Sequence, residues 1–218
     1  MINKLECPIC GDGGVIFPSR IHPKNRFGDG WWYCLGCNLW FTETPSKTEL
    51  DAFYASSRNV GNSRNPIRWV LSRIRALHQK RYIEKITGLE DGVVSDIGGG
   101  GGALAWSFRR WYETNTIEYG DTEYQIDNTL VTASHVLEHI PNPLFFVRDI
   151  RNYTKYLFIE VPDARRCERS FRLEHLTNYS PHSLKLILLK SGYVVVDIRT
   201  LWWPTIGWVI RCIARRVE

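Results

Sequence analysis

Val93-Val94-Ser95-Asp96-Ile97-Gly98-Gly99-Gly100-Gly101-Gly102 is the stretch on which the fold turns. Its first half is a short β-branched run, which reads as a strand. Its second half is an unbroken glycine run leading to a helix that opens near Ala103. Glycines at such a junction let the backbone come close to a ligand, and a helix start offers free N–H groups. A plain connecting loop has no need of so many glycines in succession. The run points to a bound nucleotide-like cofactor.

Outward from this junction, strands and helices alternate, which argues for a parallel sheet built of βα units. The stretch before His135 reads as a β-branched strand, and Leu184 to Lys190 as a helix with Leu184, Ile187 and Leu188 inward. Ser180 suits that helix's N-cap, Pro181 its first position and Gly192 its stop. Val194, Val196 and Ile198 alternate with Val195, Asp197 and Arg199 in a following strand, and Trp208 to Ala214 gives a last one, antiparallel to it. Upstream, Pro66 opens a long helix in which Ile67, Val70, Leu71, Ile74 and Leu77 recur at helical spacing. Its other face carries Arg68, Arg73, Arg75, Lys80 and Arg81. Basic faces of this kind are most often simply solvated.

The acid and glycines form D-x-G-x-G-x-G, carried by Asp96, Gly98, Gly100 and Gly102. This resembles the first motif of class I S-adenosylmethionine-dependent methyltransferases. The dinucleotide fingerprint fits less well, because its acid lies about 20 residues after the glycines. Leu130 through Pro143 is similar to the family's fourth-strand motif, and Tyr156 through Pro162 to its fifth strand. Glu174-His175-Leu176-Thr177-Asn178-Tyr179-Ser180-Pro181 resembles members that act on small molecules, notably sugars and glycoconjugate precursors. The resemblance covers roughly residues 66–218 and implies an α/β, Rossmann-like methyltransferase sheet.

The interval from Gly102 to Thr129 holds one helix (Ala103 to about Glu113), one strand near Thr116 to Tyr119, and a loop. The family pattern fits two strands there, and a βαβ unit takes roughly 30 residues. The sheet is therefore expected to be shortened by one βα unit. By position, Glu118 resembles the acid that binds ribose hydroxyls and Asp121 the acid beside the adenine. The resemblance implies that Asp96, Gly98, Gly100, Gly102, Glu118, Asp121, Ser134 and His135 bind S-adenosylmethionine.

Methyl transfer relies on positioning, with a base needed only where the acceptor must lose a proton. His135, His139 and His175 are candidates because imidazole titrates near neutral pH. His139 and His175 rank first as catalytic residues, since they fall in loops expected at the carboxyl ends of strands. His135 to His139 also fits H-x-x-E-H, a zinc-peptidase pattern that requires a helix. A strand precedes this stretch and Ile140-Pro141-Asn142-Pro143 follows, which stops a helix within a turn.

Cys7-Pro8-Ile9-Cys10 and Cys34-Leu35-Gly36-Cys37 are two CxxC knuckles, the spacing of a four-thiolate structural zinc site. Trp31, Trp32, Tyr33, Trp40 and Phe41 supply a small core beside it. Residues 1–44 are thus read as a zinc ribbon, 45–65 as a short helix and linker, and 66–218 as the methyltransferase-like domain. Ser46 and Glu49 have the spacing of a capping box for that short helix. Cys167 and Cys212 receive no role.

Hydrophobic residues at 44% and charged residues at 23% are those of a globular chain. No apolar run of about 18 residues predicts a transmembrane helix. The start lacks a signal peptide, and a chain without one that carries CxxC pairs reads as cytoplasmic. The net charge of +5 is a weak pointer to anionic partners. Trp202-Trp203-Pro204 reads as a hairpin whose aromatics pack on the sheet. The leading expectation is methyl transfer to a small-molecule acceptor, with S-adenosylmethionine and structural zinc as cofactors. The alternatives are a non-catalytic binding protein on the same scaffold, and an RNA methyltransferase gripping nucleic acid with ribbon and Arg-rich helix. Oligomeric state is not legible.

Overall fold

The computed structural model describes residues 5–12, 30–46, 48–50, 52, 66–117, 127–166, 171–172 and 174–218. Glu118, Asp121, Cys167 and most of the expected linker lie outside them. Among the described residues, six strands form the main sheet: β3 (Gly92–Ile97), β4 (Tyr112–Ile117), β5 (Asn128–Ser134), β6 (Thr154–Pro162), β8 (Tyr193–Trp203) and β9 (Gly207–Arg216). Their order is β4-β3-β5-β6-β9-β8, and β9 alone runs against the rest. This is the mostly parallel α/β sheet expected, and among the described residues β4 stands at its edge.

The strands alternate faces with period two, so each builds two cores. Val94, Leu130, Phe158 and Ile213 pack on one face against helices α1 (Pro66–Thr87) and α2 (Ala103–Phe108). Ile97, Val131, Leu157, Ile159 and Cys212 pack on the other, under α3 (Pro143–Arg151) and α4 (Pro181–Lys190). Ser180 caps α4 through its hydroxyl, which accepts from Ser183 N at 3.1 Å, and Pro181 opens the helix. Burying this apolar area at about 25 cal/mol per Å² is the main term holding the layers together.

The second core does not stop at the sheet. Cys7, Ile9, Cys34, Cys37, Leu39 and Phe41 belong to it. A small antiparallel sheet joins β1 (Trp32–Cys34) and β2 (Leu39–Phe41) to β7 (Thr177–Asn178), with Phe41 opposite Thr177 and Trp40 opposite Asn178. Thr42 N donates to Leu176 O at 3.0 Å, and Ser180 Oγ to Asn38 O at 2.9 Å. The cysteine block is therefore sewn to the segment that carries His175. Ser46 and Glu49 form the expected reciprocal cap, with Ser46 N donating to Glu49 Oε2 at 2.8 Å.

Four sequence expectations need correction. In the β8–β9 hairpin Trp202 does not pack on the sheet but is 56% exposed. The stripe on α1 does not face the core: Ile67 is 68% exposed, and Val70, Ile74 and Leu77 are exposed too. The helix instead buries Ala76, Gln79, Tyr82 and Ile83, because Arg75 on that side is drawn to a carboxylate inside the sheet. Helix α2 ends at Phe108, not Glu113, since Phe108 and Tyr112 are needed in the core below and β4 begins at Tyr112. In β8 a bulge between Val195 and Asp197 breaks the alternation, leaving Val194 and Val196 exposed while Val195 and Ile198 pack inward.

Candidate functional site

The chain leaves β3 on one side to form β4, then returns to the other side of β3 to form β5. Ligands in open α/β sheets bind at such a reversal, beyond the carboxyl ends of the strands. Here the loops after β3 and β5 meet, since a Cβ added to Gly98 would lie 2.8 Å from Val136 Cγ2. Gly98, Gly100 and Gly102 have φ of 61°, 50° and 64°, the left-handed region that side chains disfavour. A Cβ on Gly99 would lie 2.7 Å from Asp96 Oδ2. Asp96 is buried at the end of β3 and accepts from Thr132 Oγ1 at 2.7 Å.

A cleft of about 800 Å³ opens over this loop, lined by Asp96, Gly98, Gly99, Gly101, Ser134 and the Arg75 side of α1. That volume is within the range of ordinary ligand sites. Trp69 and Arg73 form part of the wall, with the Arg73 guanidinium 4.0 Å from both the Trp69 and Trp106 rings. The arginine is stacked and so held in place.

Below the cleft lies a buried ionic cluster. Glu160 on β6 has no solvent exposure and pairs with Arg75 through Oε1 and with Arg211 of β9 through Oε2. Arg75 also donates to Ser134 Oγ at 3.1 Å, and Gln79 Nε2 to the same oxygen at 3.0 Å. Arg211 Nη1 donates to His78 Nδ1 at 2.6 Å. Burial, then the Arg211 charge, lowers the His78 pKa and keeps that imidazole neutral. Burial would raise the Glu160 carboxyl, but Arg75 and Arg211 outweigh it and hold its pKa at about 2.

The loop after β5 carries the histidines. His135 sits at φ 57° and donates its N–H to Glu160 O at 2.8 Å. A non-glycine residue held there stores backbone strain, as functional loops often do. Leu137–His139 form one 3-10 turn, too short for the helix a zinc peptidase requires. Instead His139 meets His175 from the distant β7 segment, with ring centroids 4.8 Å apart. Glu138 is buried between them and His135, whose Nδ1 is 3.2 Å from Glu138 Oε1. Burial alone would raise the Glu138 pKa; the imidazoles of His135, His139 and His175 bring it down to about 2.

In the ribbon region, the sulfurs of Cys7, Cys10, Cys34 and Cys37 all lie within 4.8 Å of one another, and Cys10 and Cys34 are 3.6 Å apart. A tetrahedral thiolate zinc, with bonds of about 2.3 Å, spaces its sulfurs about 3.8 Å apart. The four donors fit that ion.

Against known proteins, residues 73–198 match a family described as a methyltransferase domain. The chain belongs to the S-adenosylmethionine-dependent methyltransferases. A search of curated proteins finds no match. Among solved structures, one similar fold is a Burkholderia thailandensis 1,6-didemethyltoxoflavin N1-methyltransferase with its substrate and S-adenosylhomocysteine bound. It has a TM-score of 0.59 at 15% identity and covers 85% of this chain and 99% of that one. Another is the magnesium protoporphyrin IX methyltransferase of Synechocystis PCC 6803 with S-adenosylhomocysteine, at TM-score 0.52 and 11% identity, covering 79% of this chain and 100% of that one.

The methyltransferase thus gathers Asp96, the glycines, Ser134 and His135 at the carboxyl ends of β3 and β5, and His139 of the β5 loop meets His175 from the segment before β7. Sequence reading overlooked Arg75, Gln79, Glu160 and Arg211. A signal was present: Glu160 and Arg211 are lone charges inside the apolar runs Leu157 to Val161 and Val209 to Ala214. A charge in a strand buried on both faces needs a partner.

Proposed function

We propose that this methyltransferase transfers a methyl group to a small-molecule acceptor, a sugar or glycoconjugate precursor, within a cytoplasmic setting. The carrying observation is the glycine loop at the strand reversal, with three left-handed glycines under an 800 Å³ cleft. S-adenosylmethionine would be held there by Asp96, Gly98, Gly100, Gly102, Ser134 and His135, and supplies an electrophilic methyl group on its sulfonium. The stacked Arg73 at the cleft wall suits its carboxylate.

His139 and His175 take the acceptor's proton where one must leave, with Glu138 orienting the pair. His139 Nδ1 lies 3.1 Å from Glu174 O, which as acceptor fixes the proton on Nδ1 and leaves Nε2 basic. A zinc ion on Cys7, Cys10, Cys34 and Cys37 braces residues 1–44 as a ribbon, with 45–65 as linker and 66–218 as catalytic domain. Bonds from Thr42 and Ser180 extend that bracing to the His175 segment.

Calorimetry with S-adenosylmethionine on zinc-loaded protein tests the reading. Micromolar binding is expected in the wild type and its loss in Asp96→Ala. A folded wild type that binds no cofactor would favour a binding protein on a methyltransferase scaffold.

A further inference from the structure

One carboxylate oxygen of Glu138 and one ring nitrogen each of His139 and His175 lie within 4.8 Å of one another. We infer that Glu138, His139 and His175 bind a divalent first-row transition-metal ion, distinct from the ribbon zinc. Two imidazoles and one carboxylate are a donor set that suits such ions and supplies three ligands, fewer than such an ion usually takes.

Three further observations support the site. Glu138 is 1% exposed; its Oε1 lies 3.2 Å from His135 Nδ1 without hydrogen-bond alignment, and among the described residues neither of its carboxylate oxygens accepts an aligned hydrogen bond. A buried carboxylate in that position is costly unless a cation satisfies it. The His139 ring gives Nδ1 to Glu174 O at 3.1 Å, which turns Nε2 into the ligand atom. Metal-bound histidines are commonly oriented by such a carbonyl on the other nitrogen. The backbone is also fixed: Leu176 N donates to Glu138 O at 2.7 Å, and His139 N to Val136 O at 2.9 Å. The two ligand-bearing segments are thus tied to each other before any ion arrives.

This inference rests on the proposed function for its use. With the ion bound, His139 and His175 would act as ligands, and the ion would take an oxygen of the acceptor and lower the pKa of that hydroxyl. The proton-accepting role proposed above for the two histidines applies to the protein without this ion. The ribbon cannot serve, since four thiolates close its coordination sphere.

The test is metal content of the full chain after equilibration with zinc or cobalt and removal of free ion. The wild type should retain two ions per chain, and His139→Gln and His175→Gln one. With cobalt, the lost ion should lack the thiolate charge-transfer absorption that the retained ion shows. Glu138→Gln, an isosteric change, should weaken the second ion at least tenfold, with circular dichroism showing that the fold is kept. One ion per chain in the wild type would overturn the site, as would two ions persisting in both histidine variants. Calorimetry with S-adenosylmethionine on the same samples separates the two readings. Cofactor binding with a single ion sinks the second metal alone, whereas two ions without cofactor binding sink the methyltransferase chemistry alone.

Discussion

The loops after β3 and β5 leave neighbouring strands in the same direction and touch, yet they are built in opposite ways. The β3 loop is nearly all backbone: three glycines at positive φ and no side chain between Ile97 and Ala103. The β5 loop has one positive-φ residue, and that is His135, followed by a buried acid and a second histidine. One loop makes room; the other supplies charge. Binding a large cofactor needs space, whereas moving a proton or holding an ion needs ionisable groups kept apart from water. The two loops come into contact because the strand order reverses between them.

The largest expected effect comes from breaking the floor beneath both loops. Glu160→Ala leaves Arg75 and Arg211 facing each other without their anion, and should cost about 3–5 kcal/mol in urea unfolding. Replacing the carboxylate by its isosteric amide in Glu160→Gln should cost less and still more than any surface change. Acid does the same thing reversibly. The folded Glu160 pKa is about 2, below its ordinary 4.5, so its stabilisation is complete above pH 4.5 and drains away as pH falls toward 2. Unfolding midpoints measured across that window should fall, and in Glu160→Gln this part of the slope should vanish.

The space-making loop gives the next effect. Gly98→Ala combines a left-handed φ with a Cβ 2.8 Å from Val136, and should cost about 1–3 kcal/mol as well as cofactor affinity. Gly101→Ala has open space at its Cβ and no left-handed φ, and should be nearly silent in stability. Equal stability penalties at the two sites would mean that the left-handed φ and the Val136 contact at Gly98 carry no special cost, and the contrast would fail. The smallest effect is expected at the cap of α4, where Ser180→Ala should cost about 1 kcal/mol in thermal or urea unfolding.

How much of this was legible follows the same division. Backbone-driven features announce themselves, because glycine runs, CxxC pairs and Ser-Pro caps are local. Asp96 through Gly102, the Cys7, Cys10, Cys34 and Cys37 cluster and the Ser180 cap all lie where the spacing puts them. Partnerships across the fold do not announce themselves. Arg75 and Glu160 are brought together only by the sheet, and that pairing turns α1 so that its apolar stripe faces out. Likewise nothing near Glu138 in sequence says that His175 will complete its surroundings. Local periodicity lost to a buried charge in the first case; in the second, both histidines were expected at the carboxyl ends of strands, but Glu138 was not expected to join them.

The division of labour is tested most directly by one calorimetric comparison: S-adenosylmethionine titrated into wild type, Gly98→Ala and His175→Gln. The account predicts that Gly98→Ala weakens binding at least tenfold while His175→Gln binds like the wild type. Equal losses in both variants, or loss only in His175→Gln, would contradict it.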